Sequence, residues 1–162
     1  MKIFAAFSLL TVLCTMGCNH APAPRDLFND GAAIPAGAPI QPFAWRVITS
    51  SIDPGHQTMS TLFGNDVAIE SARSPNHTDY PAGAVLARVT WAQKEDVHWF
   101  GARIPKRFAS MEIVRVEQGT GRKPVSNYER LVGLALQPAT DTPAEVEVDK
   151  DSILGQRASV MP

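Results

Sequence analysis

The 162-residue chain carries a formal net charge of −1 and a sequence pI near 6.4, which excludes the broad basic footprint of a nucleic-acid-binding surface. Its two cysteines, Cys14 and Cys18, both lie near the N-terminus, so the remainder has neither a disulfide nor a thiolate metal site. Thirteen prolines and eleven glycines suit a turn-rich β fold better than a helical bundle.

Lys2 and the apolar run Ile3–Leu13 read as an export signal over residues 1–17. The run has about eleven residues, short of the roughly twenty that cross a bilayer. Thr15-Met16-Gly17-Cys18 sets a small residue before a cysteine and is similar to a bacterial lipoprotein box, departing at Thr15, where such boxes usually carry leucine. The expectation is lipidation of Cys18 and placement on the periplasmic side of a bacterial membrane, with release as a soluble periplasmic protein as the alternative. The same cysteines are mis-spaced for c-type haem, which needs Cys-x-x-Cys-His: three residues separate them, and Asn19 stands before His20.

Residues 18–42 read as a linker, Pro/Ala/Gly-rich and without a periodic apolar face. The folded domain is expected over residues 43–162, with 137–162 as a C-terminal extension. Phe43–Ser51 is a predicted strand, closed by a turn at Asp53-Pro54-Gly55. Thr58–Phe63 is the second strand. Asp66 is positioned to cap a helix over Val67–Arg73. Pro81-Ala82-Gly83 makes a turn into Ala84–Trp91, the clearest strand in the chain. Val85, Ala87, Val89 and Trp91 share one of its faces, and Leu86, Arg88 and Thr90 the other.

Downstream, Gln93–His98 reads as a polar hairpin or loop, and Trp99–Ile104 as a strand ended by Pro105. Lys106-Arg107 is a predicted turn. Ser110–Glu117 is a strand whose alternation slips at Ile113-Val114, implying two covered faces or a bulge. Gln118–Pro124 is a loop. Ser126-x-x-Glu129 fits a capping box and starts a helix or a helix followed by an extended segment. Pro138–Pro143 is an exposed connection, and Glu145–Arg157 a C-terminal helix with Val146, Ile153, Leu154 and Arg157 near one face, or a short strand at Val146-Glu147-Val148 before it.

Trp45-Arg46-Val47-Ile48, Leu62–Ala68 with its Gly64-Asn65-Asp66, Tyr80-Pro81-x-Gly83-x-Val85-Leu86-Ala87-x-Val89-x-Trp91 and the strand around Met111-Glu112 together resemble the cytochrome P460 family, which includes the cytochromes c′-β. The resemblance covers roughly Phe43–Glu117. It implies an α+β, mostly antiparallel fold, with a sheet of about five strands and a few short helices, exported and usually dimeric. In that family the function depends on c-type haem attached through Cys-x-x-Cys-His near the C-terminus. Here no cysteine follows Cys18, and Ile153–Ala158 stands where the motif would fall. Some members also cross-link a lysine to the haem edge, and Arg88 resembles a position at which relatives carry lysine; arginine, always charged, is a poor nucleophile for that bond.

The residues expected to form a ligand site are Arg88, Trp91, His98, Trp99 and Glu112. Arg88 projects a charge from a strand face, with Glu112 or Arg103 as its cross-sheet partner, and a Trp/Arg-lined pocket suits a flat or anionic ligand. No histidine spacing supports a metal site, and no motif supports nucleophilic catalysis, so no catalytic residue is assigned. The expected function is that of a haem-free, non-catalytic module binding a small ligand or a periplasmic protein, lipid-anchored to the membrane, with a homodimer as the assembly the resemblance implies. The alternative is non-covalent haem held by His98 or His56, for redox chemistry or gas binding. Packing of Ile153 and Leu154 onto the sheet would remove the expected site.

Overall fold

The computed structural model describes residues 29–121 and 123–159. The signal segment, Cys18 and the first part of the expected linker lie outside the described residues. Six antiparallel strands form one meander in the spatial order β1-β2-β3-β4-β5-β6. They are β1 Arg46–Asp53, β2 Thr58–Gly64, β3 Val85–Glu95, β4 Arg103–Glu117, β5 Val125–Val132 and the two-residue β6 Gln137–Pro138. Helix α1, Asp66–Arg73, connects β2 to β3, and helix α2, Pro143–Leu154, follows the sheet. The mostly antiparallel α+β class is the one expected, with one short strand more than the five anticipated.

The alternation read from β3 sets up the two faces. Leu86 joins Ile48, Leu62, Val114 and Val116 on the first face, where Ala68, Ile69 and Ala72 of α1 and Ile153 of α2 complete a core. Val89 and Trp91 join Phe63, Phe108, Met111 and Ile113 on the second. The slip at Ile113-Val114 is thereby resolved. Ser110 to Val114 are all buried, and the β4–β5 register runs unbroken from Ser110↔Val132 to Glu117↔Val125. Two covered faces account for the pattern; the register shifts of β4 lie in its pairing with β3, at Thr90/Trp91 and Ala92/Gln93.

The second face is covered by the N-terminal segment. Ala32, Ile34, Ala38, Ile40 and Trp45 pack against it, and the Trp91 indole donates to the Ala32 carbonyl at 2.8 Å. Phe43 lies parallel to the Trp91 ring at 6.5 Å between centroids. Residues 29–42, expected to be part of a spacer, therefore contribute to the core through isolated contacts, with no helical or strand period to betray them.

Three local readings are corrected. The helix cap is Asn65, whose Oδ1 accepts from the Ala68 amide at 3.0 Å, while Asp66 is the first helical residue. The expected strand at Trp99–Ile104 and the turn at Lys106-Arg107 give way to one long β4; Trp99 and Phe100 sit in its hairpin loop. Pro105 is tolerated there because it pairs with Gln93 just past a bulge, beyond the reach of β5. The capping-box signal at Ser126–Glu129 is overridden, since those residues pair with β4 as strand β5. A capping box does exist at Thr142 and Glu145, opening α2.

Asn65 also ties α1 to the sheet. Its Oδ1 accepts from the Val85 amide at 3.1 Å and its Nδ2 donates to the Gly83 carbonyl at 2.9 Å. Asn65→Ala removes the cap and both cross-links, and is expected to lower stability by about 2 kcal/mol in urea denaturation. Asn65→Asp keeps the acceptor and is expected to lose less.

Candidate functional site

On the first face the apolar core gives way, within the same strands, to a polar row. Leu86 and Arg88 point the same way from β3, and Arg88 stands opposite Glu112, which stands opposite Arg130 on β5. The row therefore runs positive, negative, positive across three adjacent strands. Arg88 grips Glu112 bidentately, with Nε donating to Oε2 and Nη2 to Oε1, both at 2.6 Å. Tyr128 Oη donates to the same Oε1 at 2.8 Å.

Helix α2 completes the network from above. Arg88 Nη2 also reaches Asp149 Oδ1 at 3.3 Å, and its Nη1 donates to Ser152 Oγ at 3.3 Å. Arg130 lies 3.4 Å from Asp141 and 3.6 Å from Asp149. Burial opposes the Arg88 charge, but the Glu112 hydrogen bonds and the Glu112 and Asp149 charges outweigh it and hold the guanidinium above its ordinary pKa. Burial, reinforced by Glu112, likewise pushes the Tyr128 phenol well above its usual range. Arg88 is thus a satisfied member of an ion network rather than a free anion receptor, and Glu112, only 4% exposed, is paired on both oxygens.

Beside this network an open groove of about 570 Å³ runs toward the β1–β2 turn. Hydroxyls line it (Ser51, Thr58, Ser60, Thr90, Ser110), Arg88, Glu112, Arg130 and Asp149 form its charged end, and Asp53 and His56 stand at the turn. A smaller recess of about 130 Å³ shares Ser51, Ser60 and Arg88 and extends to Ile153.

The expected site residues separate. Arg88 and Glu112 come together as a cross-strand pair. Trp91 lies on the opposite face, buried and bonded to Ala32. His98 and Trp99 are in the β3–β4 hairpin loop and do not line the groove. Arg103 pairs with Glu95 at 3.4 Å and not with Arg88. Tyr128, Arg130, Asp149 and Ser152 were not anticipated. Glu112↔Arg130 register was hidden once Ser126–Glu129 read as a helix start, and Asp149 and Ser152 come from a helix whose placement has no local signature. Ile153 packs fully buried against the sheet, and Leu154 packs against the same core, so the place of the expected pocket is filled and only the polar groove beside it stays open.

His56 is fixed by Asp53, whose Oδ2 lies 2.7 Å from Nδ1. That hydrogen bond, with the Asp53 charge behind it, raises the His56 pKa above its ordinary 6.5 and lowers that of Asp53. Because the folded value is raised, the pair stabilises the fold below the unfolded histidine pKa and that contribution is lost as pH rises through the folded one. An NMR titration of the His56 ring is expected to show the upward shift, and Asp53→Asn to bring it back to about 6.5.

The sequence model of the family described as cytochrome P460 matches residues 43–124, just over half of the chain, and the chain belongs to that family. No curated protein matches it. The family implies haem, and the residues present do not fit one. Thioether attachment needs cysteine, and none follows Cys18. The groove walls are hydroxyls and paired charges rather than the apolar surface a porphyrin face requires, and the one imidazole lining the groove, His56, has an 83% exposed side chain.

Proposed function

We propose that this P460-family domain is a non-catalytic binding module that works without haem and takes a small polar ligand in the groove beside the Arg88–Glu112 network. It is held on the periplasmic side of a bacterial membrane by lipid on Cys18. The observation that carries this reading is the groove's lining: hydroxyls along one side, and at one end two arginines balanced by Glu112 and Asp149. With charges of both signs already paired, such a surface favours a neutral polyol or a zwitterion over a strongly anionic ligand.

Titration of the ¹⁵N-labelled protein with glucose, as a neutral polyol, and with glycine betaine, as a zwitterion, tests the reading. Shifts confined to Ser51, Ser60, Thr90 and Ser110 amides with either probe support it; no shift at these positions with both probes contradicts it. The alternative expectation, non-covalent haem on His56 or His98, gains no support from their surroundings: His56 lines a polar groove with its side chain 83% exposed, and His98 stands in the hairpin loop with its side chain 82% exposed.

A further inference from the structure

The β3–β4 hairpin ends in a tip that neither core and no part of the groove uses. Val97, Trp99 and Phe100 are exposed there, Trp99 at 72%. The tip is an ordered turn. The Asp96 amide donates to the Ala102 carbonyl and the Ala102 amide to the Trp99 carbonyl, both at 3.0 Å, and Asp96 Oδ1 accepts from the His98 amide at 2.8 Å. Gly101 closes the turn at φ 79°, a conformation that L side chains rarely adopt. Three large apolar side chains held out together on one turn mark a contact surface.

Two observations bear on its occupant. The first is the path of the chain. Asn29 Nδ2 donates to the Pro105 carbonyl at 2.6 Å, and Gly31 lies so close to the Lys106 carbonyl that a Cβ there would come within 2.6 Å of its oxygen. The first described residue is therefore beside the start of β4, next to the tip. Cys18 is separated from it by residues 18–28, which at full extension span at most roughly 40 Å. The second is charge. Lys94, Arg103, Lys106 and Arg107 on the arms of the hairpin are exposed; of its two acidic residues, Glu95 pairs with Arg103 and Asp96 with His98, so Lys94, Lys106 and Arg107 remain as an excess of positive charge without a carboxylate partner among the described residues. Trp and Phe flanked by basic side chains suit the headgroup region of an anionic bilayer.

We propose that the Val97–Phe100 tip docks onto an anionic phospholipid surface, giving the domain a second, orienting contact with the membrane to which Cys18 tethers it. The proposal rests on the lipid-anchor reading for that geometry.

The test uses the full chain as purified from membranes, reconstituted into phosphatidylethanolamine–phosphatidylglycerol vesicles with and without acyl-chain-brominated phospholipid. The difference in emission between wild type and Trp99→Phe isolates Trp99 from Trp45 and Trp91. The expected result is a Trp99 emission shifted to shorter wavelength and quenched by the brominated lipid, with the quenching reduced in Lys106→Glu/Arg107→Glu. Mass spectrometry of the N-terminal peptide reports lipid on Cys18 independently. Unquenched Trp99 in protein that carries the lipid overturns the docking proposal and leaves the anchor standing. An unmodified Cys18 overturns the anchor; quenching on simple mixing with vesicles then supports docking alone, and its absence overturns docking as well. Trp99 emission that is unquenched but shifts with protein concentration assigns the tip to a second copy of the chain, also overturning the proposal.

Discussion

Glu112→Ala is expected to lower stability by about 3–5 kcal/mol in urea denaturation. Glu112 is 4% exposed, and its carboxylate receives Arg88 Nε and Nη2 at 2.6 Å and Tyr128 Oη at 2.8 Å. Truncation strands a guanidinium whose side chain is only 21% exposed, together with a half-buried phenol. Asp149, 3.3 Å from Arg88, offers partial compensation and places the loss toward the lower end. The double variant Arg88→Met/Glu112→Leu removes both charges and is expected to recover most of it, since a buried pair is often replaceable by apolar side chains at little cost. A single-variant loss below about 1 kcal/mol would show that the pair behaves like a solvated surface ion pair.

Ile153→Ala is expected to cost about 2–5 kcal/mol, the range for truncating a fully buried aliphatic side chain. Ile153 is the one buried residue of α2 and packs with Ile48, Leu62, Leu86 and Val114. The effect should be unequal along the chain. Amide exchange in Pro143–Leu154 should accelerate strongly, while the β3–β4 ladder, enclosed between two cores, keeps its protection. Val148→Ala on the same helix, where Val148 is 69% exposed, is expected to change stability by less than about 0.5 kcal/mol. Equal losses from the two variants would mean that α2 is not held chiefly by Ile153, with Leu154 packed beside it on the same core.

The legible parts of the fold were those with a strong local period or turn chemistry. The β3 alternation gave both faces of the sheet, and Pro81–Gly83 gave its entry. Arg88 stands out as the one charge on its strand face and reads as an anion-binding residue with Glu112 or Arg103 across the sheet; the structure gives it Glu112 as a cross-strand partner. Local pattern failed where tertiary pairing outranked it. Ser126-x-x-Glu129 has the spacing of a capping box, yet Tyr128 and Arg130 gain more from pairing beside β4 than from an isolated helix start. Trp99 and His98 drew attention as ligand residues because their types suit binding; their position at a hairpin tip follows from the length of β3 and β4, which the bulges and Pro105 obscured. Ala32, Ile34, Ala38 and Ile40 cover a sheet face without any period, so a Pro/Ala-rich segment that contributes to the core looked like a spacer.

The proposal that this P460-family domain works through its polar groove and without haem is tested most directly by one absorption spectrum. Full-length protein isolated from haem-replete cells should show no Soret band, and added haemin should retain the spectrum of haemin in buffer. A Soret band that saturates at one haem per chain and is lost in His56→Ala would contradict the account.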